Sequence, residues 1–355
     1  MRRLSIFAVF AICCTVNAAS NLSVGKADMK SVGQLAFAPH GILLVGDAVG
    51  GAIYALDTDD EKAAPGAAVD IKGANVKIAA LLGTAPDQIL INDIAVNPLS
   101  HKVYFSVSRG RGQDATPVLL RLDAAGKFQE IGLDKVKHSK VDLPNVPAAT
   151  EGRQNKRLEA ITDLSYVDGN VIVAGISNEE FASTLRSIPY PFSDAGKRTN
   201  VEIFHGAHGR FETNAPVRTF VSYKIAGKPN LLAAYTCTPL VKFPISELKP
   251  GQKVMGTTIA ELGAGNRPLD MIVYSKGGAD FILMNNSSRG VMKIATAKID
   301  SYEGITKKTD IAGVPYETLA EFKGVEQLDS YDTTRALMLV RGEAGSLDLK
   351  TIALP

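Results

Sequence analysis

The sequence predicts an all-β fold, a six-bladed β-propeller, and three observations support this prediction. Six segments share one pattern, in which a short apolar strand, a turn rich in Gly, Pro, Asn or Asp, and a second apolar strand follow one another. Further apolar strands follow most of these hairpins, without the sustained 3.6-residue periodicity of a helical repeat. The chain has 355 residues, which is enough for one large β domain.

The six repeated segments begin 50 to 70 residues apart, which is longer than the roughly 40–50 residues of a compact blade. They start at Leu35, Ile94, Leu164, Val221, Met271 and Leu328. Insertions explain the excess length, and we expect them at about 134–157 and 178–200. A seventh, degenerate blade is the alternative to six. We also expect the segment 20–33 to supply the strand that closes the ring.

Short apolar runs after the hairpins predict the remaining strands of each blade. We expect third strands in AIYALD, VLLRLD, VEIFHG, LVKFP, VMKI and SLDLKTIAL. We expect outer fourth strands in VRTF, from Val217, and TTIAEL, from Thr257. One short helix is expected near Val76–Leu82. This assignment places His205, in VEIFHG, at the end of a third strand.

The first 18 residues have the pattern of a cleavable secretory signal peptide. Arg2 and Arg3 precede an apolar stretch that ends at Cys14, and small residues follow at 16–18. The stretch is shorter than the roughly 20 residues that span a bilayer, and no later segment matches its hydrophobicity. We therefore expect a periplasmic or secreted protein with one propeller domain from 19 to 355 and no membrane span in the mature chain.

Composition and motifs argue against several classes of function. The chain has 39 Lys and Arg against 37 Asp and Glu, without the basic excess of nucleic-acid binders. No Gly-rich loop opens a helix, so no nucleotide is expected, and the missing C-x-x-C-H motif argues against haem. The sequence has no tryptophan, which argues against the Trp-rich blades of PQQ-dependent dehydrogenases. We expect a small molecule or another envelope protein as the partner.

Polar residues stand at the predicted starts of the inner strands, which meet at one mouth of the central channel. The predicted ring contains Gln34, Asp93, Asp163, Asp270 and Gln327, with Asn92 and Asn178 nearby. Loops on the same rim add Arg109, Arg289, Asn285 and Cys237. Converging oxygen atoms suit Ca²⁺ or Mg²⁺, or the hydroxyl groups of a sugar-like ligand. Alternatively, each Asp accepts backbone N–H groups and stabilises its own turn.

The motif His205-Gly-Ala-His208 is the most distinctive local feature. Two imidazoles three residues apart in a glycine-containing turn suit one Cu or Zn ion. Cys237 is the only cysteine outside the signal peptide, and it would be a natural third ligand. The strand order above places the His pair and Cys237 on opposite faces, so we expect that the three do not share a metal. A structural turn without metal is the alternative.

The repeated units resemble the broad superfamily of six- and seven-bladed propellers that includes NHL, YVTN-type and SMP-30 (gluconolactonase-like) proteins. The likeness covers nearly the whole chain after the signal peptide, and HGAHGRFETNAPVRTF, from His205, looks like a family hallmark. A resemblance to SMP-30 proteins implies a metal-dependent lactonase whose ion, Ca²⁺ or Zn²⁺ here, is held by a glutamate, an asparagine and an aspartate. Asp163 and Asp270 would supply carboxylates and Asn92 or Asn178 an amide. Gln34 stands in place of the family's glutamate.

Three functions follow as hypotheses. The first is a protein that binds a small ligand or metal ion at its channel mouth. The second is a metal-dependent, lactonase-like hydrolase, and the third is a periplasmic copper-binding or copper-dependent redox protein that uses His205 and His208. The sequence has no G-x-S-x-G motif and no convincing Ser-His-Asp arrangement, so whether the protein is an enzyme stays open.

Overall fold

The computed structural model describes residues 21–150, 152, 155–237 and 239–355, and the expected signal peptide lies outside them. These residues form 28 strands and one α-helix, joined by turns and short 3-10 segments. Within the described part of the chain, no helix is long and apolar enough to cross a membrane.

The first strands are β1 (Ser23–Gly25), β2 (Leu35–Ala38), β3 (Ile42–Asp47), β4 (Ala52–Asp57), β5 (Asp70–Ile71), β6 (Ile89–Val96), β7 (Val103–Arg109), β8 (Thr116–Leu122), β9 (Phe128–Glu130) and β10 (Val136–Asp142). Helix α1 (Ala74–Leu81) lies between β5 and β6, where the sequence predicts a helix. The middle strands are β11 (Asp163–Val167), β12 (Asn170–Ile176), β13 (Ser183–Pro189), β14 (Thr199–His205), β15 (Arg210–Glu212), β16 (Val217–Ile225), β17 (Lys228–Tyr235), β18 (Pro239–Pro244), β19 (Lys253–Met255) and β20 (Thr257–Leu262). The last are β21 (Pro268–Lys276), β22 (Ala279–Asn286), β23 (Gly290–Ala295), β24 (Ile311–Gly313), β25 (Tyr316–Leu319), β26 (Val325–Ser330), β27 (Arg335–Arg341) and β28 (Leu347–Ala353).

The described strands form six sheets, which are the blades of a propeller, and this confirms the predicted fold. Blade 1 has the strand order β2-β3-β4-β10-β1, and blade 2 has β6-β7-β8-β9. Blade 3 has β11-β12-β13-β14-β15, with β19 parallel to β14, and blade 4 has β16-β17-β18-β20-β24. Blade 5 has β21-β22-β23-β25, and blade 6 has β26-β27-β28-β5. The first strand named in each blade is the inner one.

The blades do not follow one another around the ring in chain order. Six apolar clusters each fill the space between two adjacent blades: 1 and 3, 3 and 4, 4 and 5, 5 and 6, 6 and 2, and 2 and 1. Blade 2 therefore lies between blades 1 and 6. This order arises because the whole of blade 2 is inserted between β4 and β10, which are neighbours in blade 1.

The strand that closes the ring is β5. It pairs with β28, and the adjoining Gly73 donates its N–H to the Asp348 carboxylate at 2.9 Å. The expectation that 20–33 closes the ring is wrong, because β1 pairs with β10 at the outer edge of its own blade.

Blade 3 differs from the sequence-based assignment by one strand. The third strand is β13, which lies inside the segment 178–200, and the run VEIFH belongs to the fourth strand, β14. VRTF is not an outer strand but opens β16, the inner strand of blade 4, whereas TTIAEL forms the expected fourth strand, β20. The segment 134–157 likewise supplies β10. Because adjacent strands run antiparallel, the extra strand moves the end of β14 to the opposite face of the propeller.

Candidate functional site

The mouth of the central channel is shaped by irregularities in four inner strands. The register shifts between Ile91 and Asp93 in β6 and between Pro268 and Met271 in β21, and β16 and β26 have similar shifts. A β-bulge bends its strand and re-aims the local side chains. Asp93 and Asp270 lie at these shifts, and both side chains line the channel.

Two cavities meet at three aspartates. A cavity of about 410 Å³ is lined by all six inner strands, and one of about 130 Å³ lies at their entrance. Asp93, Asp163 and Asp270 line both, so these three, the neck aspartates, separate the mouth from the channel. The smaller cavity is also lined by Gln34, Asn92, Gln327, Thr162, Arg218, Arg267, Pro268, Leu269 and Glu326. Six residues predicted for the mouth thus lie together, whereas Arg218 and Arg267 were not predicted.

Each neck aspartate is hydrogen-bonded to the backbone of the next blade. Asp93, Asp163 and Asp270 accept the N–H groups of Leu35, Phe220 and Leu328 at 2.7, 2.7 and 2.8 Å, respectively. Deeper in the channel, Asp329 accepts the N–H of Val96 at 2.7 Å. These four bonds run from blade 2 to 1, 3 to 4, 5 to 6 and 6 to 2, in one rotational sense. The carboxylates therefore join neighbouring blades.

The same surroundings raise the pKa of all four carboxyl groups. Burial raises the pKa of Asp163 to about 7 and that of Asp329 to about 6. Burial and the charge of Asp163 raise the pKa of Asp270 to about 8. Burial and the charge of Asp270 raise the pKa of Asp93 well above its usual range. The side chains are partly exposed to the narrow channel but otherwise enclosed by protein, so ionisation of these carboxyl groups is disfavoured.

The His205–His208 turn and Cys237 lie together on this same face. One ligand atom from each lies within 4.8 Å of the others. Across the described residues, this is the one group of three or more His, Cys, Asp or Glu side chains with metal-binding spacing. The expectation that these three residues are separated is therefore wrong. The expectation was wrong because the sequence analysis missed strand β13. With β13 counted, His205 ends the fourth strand of blade 3 and lies on the same face as the β17–β18 loop, which carries Cys237.

The hairpin of β14 and β15 positions the two imidazoles. His205 pairs with Arg210 across the hairpin, and its carbonyl accepts the N–H of Gly209 at 2.8 Å. The turn packs directly on β20, where Glu261 Oε1 accepts the N–H of Gly206 at 2.5 Å. A Cβ atom on Gly206 would lie 2.8 Å from Glu261 Cγ. The glycine is therefore required for this close approach.

Glu212 orients both imidazoles, and the sequence analysis missed it. Its Oε2 accepts from His205 Nδ1 at 2.9 Å and its Oε1 from His208 Nδ1 at 2.6 Å. Since an ionised carboxylate only accepts, both Nδ1 atoms carry a proton, and in a neutral imidazole the Nε2 atom then keeps a free lone pair. The two rings lie 3.9 Å apart between centroids. Carboxylates orient metal-binding imidazoles in this way.

The protonation states fit this arrangement. Burial raises the pKa of Glu212, but hydrogen bonds from His208, His205 and Arg210 outweigh it and lower the pKa, so the carboxylate is ionised. Burial lowers the pKa of His205 more than Glu212 raises it, so the imidazole is neutral. His205 is 2% exposed, and its Nε2 is buried with no hydrogen-bond partner. A neutral imidazole with a free nitrogen is the form that binds metals.

Cys237 is held by the entrance of blade 5. Its φ is 64°, in the left-handed region, and its N–H donates to the Asn266 carbonyl at 2.7 Å. The buried Asn266 side chain is bonded to Asn286. The residue before the cysteine, Thr236, accepts from Arg218 Nε at 3.1 Å. Arg218 also lines the smaller cavity at the channel mouth. Cys237 therefore lies next to Thr236, a residue that contacts the wall of this cavity.

The other predicted rim residues have different surroundings. Asn285 is buried, and its Oδ1 accepts the N–H of Asp270 at 2.8 Å, so it supports the neck. Arg289 Nη2 donates to the Ala264 carbonyl at 2.9 Å. Arg109 and Asn178 are exposed and line neither channel cavity.

Comparisons with known proteins are limited to distant structural likeness. The chain matches no known protein family and no curated protein. An oxidoreductase described as a glucose dehydrogenase from Thermus thermophilus is 12% identical, with a TM-score of 0.37 over 93% of this chain and 100% of that one. A PQQ-bound aldose sugar dehydrogenase from Streptomyces coelicolor is 12% identical, with a TM-score of 0.32 over 94% and 98%. Streptogramin B lyase is 10% identical, with a TM-score of 0.32 over 94% and 97%.

At these identities and TM-scores, the comparisons carry no argument about activity. The propeller assignment rests on the strand pairing of the six sheets. The narrower resemblance to NHL, YVTN-type and SMP-30 proteins stays a prediction, and so does the expectation that the protein uses no PQQ.

Proposed function

We propose that this protein binds one copper or zinc ion through His205, His208 and Cys237, on the face where its central channel opens. The observation that carries the proposal is the buried Nε2 of His205, which has no hydrogen-bond partner, beside a second imidazole and a thiol. A buried polar atom left without a partner costs about 1–3 kcal/mol. A metal ion at this nitrogen would remove that cost.

The ligand set favours a soft or borderline ion over Ca²⁺ or Mg²⁺. A thiolate and two imidazoles suit copper and zinc, whereas the hard cations prefer oxygen ligands. In the described parts of the chain, no fourth His, Cys, Asp or Glu joins the group. A bound tetrahedral ion would then have one coordination position left for water or an external ligand, as in metal sites that perform chemistry. Copper would supply one-electron transfer there, and zinc would supply Lewis acidity.

The protein's own residues divide the remaining tasks. Glu212 holds the two imidazoles in one tautomer, and Glu261 holds the backbone of the turn between them. The two imidazoles come from blade 3 and the thiol from blade 4. A bound ion would therefore also link these two blades. We further propose that the protein works outside the cytoplasm, on the basis of the signal-peptide pattern in residues 1–18.

A second candidate function belongs to the channel. The three converging carboxyl groups of the neck aspartates and the two adjoining cavities favour a small cation or a hydroxylated ligand there. A simple binding protein or a lactonase-like hydrolase would use such a site. This candidate is second because backbone N–H groups already account for Asp93, Asp163 and Asp270.

Elemental analysis of the purified protein, reconstituted with copper or zinc under reducing conditions, tests both candidates. We expect about one ion per chain in the wild type, close to none in His205→Ala, and about one in the matched variant Asp163→Asn. Metal that survives His205→Ala but is lost in Asp163→Asn would support the channel instead. A wild-type protein that takes up neither metal would refute the proposed metal site.

A further inference from the structure

Two buried arginines face each other where blade 3 meets blade 1. Arg186 lies on β13, and Arg198 directly precedes β14. The antiparallel register pairs Leu185 with Thr199, and one further step places Arg186 opposite Arg198. The two residues are only 4% and 9% exposed. Like charges directly opposite on adjacent strands are unfavourable, and burial strengthens their repulsion.

A single carboxylate accompanies these two guanidinium groups. Glu179, in the loop between β12 and β13, accepts from Arg198 Nη2, and its other oxygen accepts from Asn145 Nδ2 at 2.5 Å. Arg186 Nη2 donates to a neutral partner, the Pro144 carbonyl, at 2.5 Å. Among the residues that the structure describes, no second acidic side chain forms an ion pair with either arginine. The pair therefore carries one positive charge more than its surroundings neutralise.

The donors of Arg198 are also incompletely used. Its Nε is buried and has no hydrogen-bond partner. Burial, with the nearby charge of Arg198, lowers the pKa of Arg186 to about 10, so Arg186 stays charged at neutral pH. A buried charge is stable only when a counter-charge and hydrogen bonds accompany it. Arg186 and Arg198 share one counter-charge between them, and Arg198 lacks a hydrogen-bond partner for its Nε.

The two long segments that the sequence analysis singled out meet here. Asn145 belongs to 134–157 and Glu179 to 178–200, and the Asn178 N–H donates to the Asn145 carbonyl at 2.9 Å. The Glu179 side chain is 40% exposed, whereas the arginines beneath it are buried. Its carboxylate thus covers the pair from the solvent side. Movement of this one exposed side chain would open the pair to solvent.

We propose that Arg186 and Arg198 form a binding site for a small oxyanion, such as sulfate or phosphate, at the position that the Glu179 carboxylate now occupies. Guanidinium groups bind oxyanions through paired, charge-assisted N–H donors. The oxyanion supplies the missing negative charge and an acceptor for the unpartnered Nε. Glu179 is then an internal competitor of the ligand. This site lies between blades 1 and 3 and is independent of the proposed metal centre.

The variant Glu179→Gln in the full chain tests the proposal, with Glu180→Gln as its matched control. Glu180 is the adjacent exposed acidic residue, and it forms no ion pair with the arginines. We expect Glu179→Gln to melt about 2 °C or more below the wild type in chloride, because both guanidinium groups lose their counter-charge. Sulfate at the same ionic strength should restore most of this loss, whereas Glu180→Gln should behave as the wild type in both salts.

Calorimetric titration with sulfate measures binding directly. We expect Glu179→Gln to bind sulfate about tenfold more tightly than the wild type or more, because the competing carboxylate is gone. Arg198→Lys keeps the positive charge but loses the planar donors, so it should lose sulfate-specific stabilisation. Equal responses of Glu179→Gln and Glu180→Gln to sulfate would overturn the proposal, even if Arg198→Lys does not fold.

Discussion

Two groups of polar side chains converge on one face of this propeller, and they differ in how their hydrogen-bonding capacity is used. The neck aspartates each accept a backbone N–H from the next blade. In the His205, His208 and Cys237 group, by contrast, a buried nitrogen has no partner. The hydrogen bonds of the aspartates therefore give them a structural role that needs no ligand. The hydrogen bonds of the second group leave one buried nitrogen unexplained. Convergence of polar residues at the channel mouth is not sufficient to identify a site, whereas the unpartnered nitrogen of His205, beside a second imidazole and a thiol, supports the proposed metal site.

The aspartate contacts also follow the order of the blades. They connect blades 2 and 1, 3 and 4, 5 and 6, and 6 and 2, which leaves the contacts from 1 to 3 and from 4 to 5 without one. Blade 6 has Gln327 at the corresponding position but supplies Asp329 two residues later. Blades 1 and 4 hold Gln34 and Phe220 there, with Ala36 and Ser222 two residues later. The absent links thus coincide with the absent carboxylates, which supports the structural interpretation of the ring.

The largest expected effect concerns Glu212. A substitution there tests whether His205 and His208 are metal ligands oriented by this carboxylate or are only adjacent imidazoles. Glu212→Gln keeps the shape but can no longer accept from both Nδ1 atoms through an ionised group. We expect the affinity for copper or zinc to fall about 10–100-fold, measured by competition with a chelator of known affinity. Glu321→Gln, at an exposed acidic residue, is the control. Equal affinity in both variants would show that Glu212 does not orient the ligands.

The sequence predicts the blades well because each hairpin is a local structure. Alternating apolar strands and turns such as Asp168-Gly169 specify a hairpin within about 15 residues, and all six hairpins are present. The order of the blades depends instead on packing between distant segments. Nothing in the local pattern of Asp70–Ile71 shows that these two residues pair with the last blade.

The candidate site was only partly predictable, for a similar reason. The spacing of His205 and His208 is visible in the sequence, but their proximity to Cys237 depends on the number of strands in blade 3. The missed strand β13 carries the polar run Ser183-Thr184 and the buried Arg186, which weakens its apolar pattern. Glu212 had a usable signal. In a hairpin that pairs His205 with Arg210, the residue two positions after Arg210 is a diagonal neighbour of the histidine.

A smaller effect, on stability, is expected for the neck aspartates. Removal of one carboxyl group tests whether these residues have a structural role or form a binding site. Asp163→Ala leaves the N–H groups of Phe220 and Leu164 without their acceptor. We expect a loss of about 1–3 kcal/mol in the free energy of unfolding, measured in urea. Part of it should return in Asp163→Asn, whose single amide oxygen can replace only one of the two acceptor oxygens. Asp134→Ala, at an exposed aspartate, is the control. Unchanged stability together with lost binding of Ca²⁺ or a polyol would reverse the comparison between the two regions.

The last expected effect is a change in pH dependence at Asp270. Its pKa rises from the usual 3.8 to about 8 on folding, so between these values the folded state holds a proton that the unfolded state releases. Wild-type stability must then fall as the pH rises through this range. Asp270→Asn keeps an acceptor for the Leu328 N–H and has no proton to lose.

The melting temperature of Asp270→Asn should therefore fall less steeply than that of the wild type between about pH 5 and pH 8, by a few degrees over the range. Asp163 and Asp329, with pKa values of about 7 and about 6, titrate in both proteins. The charge of Asp270 raises the pKa of Asp93, so the difference in slope reports Asp270 together with its effect on Asp93. Parallel curves would mean that this carboxyl is ionised throughout. In that case a compensating positive charge must lie in the channel, and the neck would become the better candidate for a cation site.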